Sequence, residues 1–140
     1  MIIENNERVD QFIKDLAFHL NNALPENWYH VVLGSFYYKV DEDEMDSYQV
    51  FYQNEFDGQY FNLLEEFWKG INDDNRQNAL DEVSLLLQDL HDYCKEHGDD
   101  YREMTFELYV DGKFNVKFAY EEIKDFNTDF LEKWKSVSLM

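Results

Sequence analysis

This chain carries residue types that could do chemistry, but not at the spacings chemistry needs. Its four histidines, His19, His30, His91 and His97, include no His-Glu-x-x-His pair, and a single cysteine, Cys94, leaves no Cys-x-x-Cys site. His19 and His91 fall on helical stretches, where they read as ordinary surface or packing residues. Cys94 lies on an apolar helical stripe, where a thiol is inert packing rather than a nucleophile. None of the five glycines builds a phosphate loop or a dinucleotide fingerprint.

The carboxylates need closer reading, because acidic clusters bind Mg²⁺ and Ca²⁺. Asp41-Glu42-Asp43-Glu44 looks like the start of a calcium loop, but the central glycine is missing and Tyr52 stands at the twelfth position, where a glutamate belongs. Glu65-Glu66 followed by Asp81-Glu82 is the pattern a metal-dependent nucleotide hydrolase would need, yet the spacing does not repeat within either helix. A solvated acidic face is the better reading, with no catalytic residue, metal or cofactor expected.

What remains is charge. The net charge is −19 over 140 residues, although 44% are hydrophobic and 18% aromatic, enough for a dense core beneath an acidic skin. Such a surface repels nucleic acid and anionic lipid and attracts basic proteins, many of which handle nucleic acid. The acidity is uneven. Between Lys39 and Lys69 no basic residue occurs, while Asp41, Glu42, Asp43, Glu44, Asp46, Glu55, Asp57, Glu65 and Glu66 all fall there. These nine carboxylates are the expected partner-binding residues. A basic groove with interleaved aromatics, the mark of a nucleic-acid binder, is absent.

The elements that must position this surface follow from periodicity. Apolar residues recur at helical spacing from about Glu4 to Leu24, where Pro25 stops the run. Trp28–Val40 and Tyr48–Phe56, rich in aromatic and β-branched residues, predict strands, with the Asp41–Asp46 run as a loop between them. The segment Gly58–Gly70 suits either a short helix or irregular chain. Asp73–His97 predicts a long helix with Leu80, Val83, Leu87, Leu90 and Cys94 on one stripe and Gly98 as its cap.

Met104–Val110 and Phe114–Tyr120 alternate as strands. A three-residue loop, Val110-Asp111-Gly112, sets Leu108 opposite Phe114 and Phe106 opposite Val116, burying one face. Thr105, Glu107, Asn115 and Lys117 are left on the other. Thr128–Lys135 predicts a last short helix with Phe130, Leu131 and Trp134 turned inward. The order α-β-β-α-β-β-α with short links predicts an α+β fold: one antiparallel sheet of about four strands, in two hairpins, packed against helices. Length predicts a single domain over 1–140. The lone cysteine, the absence of a basic-then-apolar leader and the lack of a run of ~20 apolar residues predict a cytoplasmic protein.

Several short motifs, taken in order, carry a family resemblance. Leu24-Pro25-Glu26-Asn27-Trp28 joins the first helix to the first strand, and Phe51-Tyr52 lies in the second. Gly112-Lys113-Phe114 with Val116, Phe118 and Tyr120-Glu121 forms the last strand, and Trp134-Lys135 comes near the end. From about Phe12 to Lys135 the chain resembles the YezG/EsaG-like antitoxins, immunity proteins of bacterial polymorphic toxins. The resemblance implies binding to the C-terminal nuclease domain of a secreted toxin, with no catalytic residues. Two other classes compete with it: a general acidic decoy that imitates DNA, and the metal-dependent nucleotide hydrolase.

Overall fold

The structure, a computed structural model, describes residues 6–139; Glu4, where the first helix was expected to begin, lies outside them. In chain order the elements are α1 (Glu7–Ala23), β1 (His30–Val40), β2 (Asp43–Gln53), β3 (Phe61–Asn62), α2 (Leu63–Trp68), α3 (Asp74–Glu96), β4 (Glu103–Tyr109), β5 (Phe114–Ala119) and α4 (Thr128–Ser138). The α+β class and the single antiparallel sheet are as expected, but β3 raises the strand count from four to five. The ambiguous segment holds both β3 and the short α2. Contacts divide the chain into two compact units, one of residues up to Asn27 with Glu65–Tyr101, the other of Trp28–Leu64 with Arg102 onward.

The first unit is a helical pair. The Asn6 side chain accepts hydrogen bonds from the backbone N–H groups of Arg8 and Val9, capping α1, and Val9, Phe12, Ile13, Leu16 and Leu20 form its buried stripe. Asp73 caps α3 in the same way, and Leu80, Val83, Leu87, Leu90 and Cys94 are all buried, as their spacing predicts. The helices run antiparallel. Phe12 near the start of α1 meets Tyr93 near the end of α3 (ring centroids 6.0 Å apart), while Arg76 at the start of α3 donates from Nε to the Ala23 carbonyl at 2.9 Å. That bond satisfies a carbonyl left orphaned where α1 ends.

Two of the buried residues of α3 are titratable. The Cys94 thiol is pushed up to about 11, first by burial and then by the charge of Asp99, so it stays protonated and unreactive at neutral pH. His91 donates from Nε2 to the Tyr101 carbonyl at 2.9 Å, with Asp100 Oδ1 3.3 Å away. Burial lowers its pKa, against the opposing pull of that carbonyl and of Asp100. The unfolded chain therefore takes up a proton near the ordinary value of about 6.5, where the folded chain resists it. Stability is expected to fall as pH drops below that value. Thermal melts of wild type and His91→Gln across this range check it; an identical pH dependence would dismiss His91 as the cause.

The second unit holds the sheet, in the order β3-β2-β1-β4-β5. The central strand β1 is buried from His30 through Tyr37, on both faces, which is why its sequence does not alternate. Val31, Leu33, Val50, Met104 and Phe106 are completely buried on one face. On the other, Val32, Phe36 and Phe51 form a core with Ile123 and Trp134, and Phe126 and Phe130 pack against it. Trp134, carried by α4, donates from Nε1 to Thr105 Oγ1 at 3.0 Å. The face expected to stay polar is thus partly covered. Gly34 makes this possible: a Cβ there would come within 2.4 Å of Trp134 Cζ2.

The last hairpin has the register its alternation predicts, Leu108 opposite Phe114 and Phe106 opposite Val116. Gly112 takes a positive φ of 94° in the three-residue loop. The first hairpin is a correction. Asp41–Asp46 is not a loop: Val40 pairs with Asp43, only Asp41 and Glu42 turn, and Asp43, Glu44 and Asp46 lie within β2. Repulsion does not prevent this, because exposed carboxylates a few ångströms apart cost only about 1 kcal/mol in water. Asp41 adopts the left-handed conformation (φ 58°), which aspartate tolerates better than most residues.

Candidate protein-binding surface

The nine expected carboxylates fall on three stretches of the chain, seven of them in the sheet unit and Glu65 and Glu66 in the helical unit. Asp41, Glu42, Asp43, Glu44 and Asp46 cluster, all exposed, at the tip of the β1–β2 hairpin. Two basic residues temper this tip: Lys39, across the hairpin, sits opposite Glu44, and Arg102, distant in sequence, places Nη1 3.4 Å from Glu44 Oε2. Glu55 and Asp57 follow the other end of β2, roughly 33 Å away along an eleven-residue strand rising ~3.3 Å per residue. Glu65 and Glu66 lie on α2, where Glu65 pairs with Lys69 at 2.6 Å. That exposed pair contributes little to stability.

Asp81, half of the alternative metal pattern, accepts from Gln77 Nε2 at 3.0 Å. Among the described residues no three His, Cys, Asp or Glu side chains are grouped to hold a metal ion. Of the aromatics rich enough in number to leave some outside the core, Tyr37 is buried in β1, whereas Trp68 is 79% exposed.

A constellation that spacing gave no hint of lies beside Glu55 and Asp57. His30, 4% exposed, opens β1. Its Nε2 lies 3.1 Å from Glu107 Oε2, and its Nδ1 faces Gln53 Oε1 at 3.1 Å and the Tyr60 hydroxyl at 3.2 Å. Gln53 is oriented by its own Nε2, which donates to the Gly58 carbonyl at 2.7 Å. Tyr109 stacks flat on the imidazole, centroids 4.3 Å apart and planes 13° from parallel.

The aromatic contacts continue outward. Tyr109 meets Tyr29 edge-on at 6.0 Å, and Tyr29 meets Phe56 edge-on at 6.5 Å. Phe56 itself is 75% exposed. Burial first and the Glu107 charge second raise the hydroxyl pKa values of Tyr60 and Tyr109. His30 is buried under Tyr109, whereas Glu107, Tyr60 and Tyr109 are each partly open to solvent, Glu107 at 30% exposure. No sequence signal pointed to this cluster, because strand pairing joins His30 and Glu107 across 77 residues.

An acidic α+β protein with an exposed carboxylate tip and a partly open aromatic cluster has the makings of a binding protein. The family model for the YezG-like immunity proteins matches residues 9–138, and the chain belongs to that family. Membership gives it an immunity, or antitoxin, role, in which it binds a cognate toxin. Comparison with curated proteins finds no match. No helix among the described residues is long and apolar enough to cross a membrane.

Proposed function

We propose that this immunity protein neutralises the nuclease domain at the C-terminus of a secreted toxin, in the cytoplasm of the producing cell, by binding rather than by catalysis. The exposed acidic tip, Asp41–Asp46, is the observation that carries this reading. A nuclease keeps its active site basic to hold phosphates. An acidic partner finds such a surface quickly, at a rate that falls with salt. Glu55, Asp57, Glu65 and Glu66 extend the attraction, while affinity comes from desolvated aromatic anchors rather than from rim charges.

The test is binding kinetics against the C-terminal nuclease domain of the cognate toxin. Changing Asp41, Glu42, Asp43 and Glu44 together to their amides should leave the fold intact, since their repulsion contributes nothing to it. Association at low salt is expected to slow by about tenfold with little change in dissociation, because peripheral charges act mainly on encounter. If the neutralised protein associates at the wild-type rate with the same salt dependence, the tip is merely solvated.

A further inference from the structure

We propose that the end of the sheet formed by Tyr29, Tyr109 and Glu107 receives an arginine side chain of the basic partner, with Phe56 as the adjoining anchor. The inference rests on the toxin-binding reading and locates its main contact far from the acidic tip. Glu107 is held from inside the fold, one oxygen accepting from His30 Nε2 and the imidazole steadied in turn by Gln53 and Tyr60. Among the described residues no group is bonded to its second oxygen, Oε1, and the side chain is part open to solvent. Beside it, stacked on the same imidazole, stands the Tyr109 ring; Tyr29 meets that ring nearly at right angles, 77° between planes, and beyond Tyr29 lies an exposed phenyl ring.

A pre-positioned carboxylate beside Tyr109, with the Tyr29 and Phe56 rings beyond it, matches a guanidinium better than an ammonium. Guanidinium is planar, stacks on rings and offers paired N–H donors to a carboxylate, whereas an ammonium acts as a compact point charge. Glu55 and Asp57, adjoining Phe56 in the chain, add to the local negative potential. Lys113, on the loop after Tyr109, lies 3.8 Å from the Asp111 carboxylate. Charge complementarity therefore selects a cationic occupant, and the ring geometry selects arginine. Aromatic and arginine residues are also those that dominate binding energy at protein interfaces.

Two measurements test the proposal. In the first, N-acetyl-arginine amide and N-acetyl-lysine amide are titrated separately into ¹⁵N-labelled protein and amide shifts are followed by NMR. The arginine probe is expected to move Tyr29, Phe56 and Tyr109 more than Glu42, the lysine probe to move them less, and Glu107→Gln to abolish the difference. Equal shifts at the tip, or equal effects of the two probes, would overturn the site.

The second is binding kinetics with the toxin domain, after melts confirm that each variant folds. Phe56→Ala and Glu107→Gln are each expected to speed dissociation at least about tenfold with association nearly unchanged. Wild-type dissociation rates in both variants, with tight binding by wild type, would overturn this inference and leave the proposed function standing. Absence of wild-type binding to that domain would instead overturn the nuclease reading, while an arginine-selective NMR response would still establish the site.

Discussion

Trp134→Ala is expected to lower the unfolding free energy by about 3–5 kcal/mol, the usual cost of deleting a buried tryptophan. The indole sits against Phe36 and Phe51, at centroid separations of 5.4 and 6.1 Å, and its N–H is bonded to Thr105. Truncation leaves both a cavity and an orphaned hydroxyl partner. The complementary change is Gly34→Ala, whose new methyl would strike Trp134 Cζ2 at 2.4 Å and Phe36 Cζ at 2.7 Å. Overpacking of that kind costs about 1–3 kcal/mol. Urea melts of both single variants and the double variant decide the matter. The Gly34→Ala penalty should shrink once the indole is gone, because two of its three closest contacts are indole atoms. An equal penalty in both backgrounds would show that Gly34 is not there to admit Trp134.

The second large effect belongs to the helical unit. Leu87→Ala is expected to cost about 2–5 kcal/mol, since Leu87 is only 3% exposed at the centre of the α3 stripe. Loss of protection against the toxin would then follow from unfolding, not from a lost contact. A melt unchanged by the substitution would mean that the stripe contributes little to stability. The same variant examines the single-domain expectation for 1–140. One cooperative domain requires far-UV circular dichroism and tryptophan fluorescence to shift together, whereas a split transition would show two units unfolding independently.

Local chemistry made much of the architecture legible. The long helix was bounded by an aspartate that caps its start and a glycine, Gly98, whose φ of 82° ends it. The last hairpin followed from alternation and one glycine, because a slip by one residue would turn every side chain to the wrong face. The first hairpin was misread for a physical reason. Counting charges along the chain overweights repulsion, while ladder hydrogen bonds and solvent around exposed carboxylates let the strand run through them.

By itself, then, the sequence determined the three longer helices, most of the four longer strands, the net acidity and the family resemblance, because each is encoded in composition or in residues close together along the chain. Only the tertiary structure decided that Arg102 approaches Glu44, that Gly34 admits Trp134, and that His30 holds Glu107 beneath an aromatic edge. Those juxtapositions come from pairing β1 with β4 and seating α4 on the sheet, across separations at which spacing along the chain carries no information about contact.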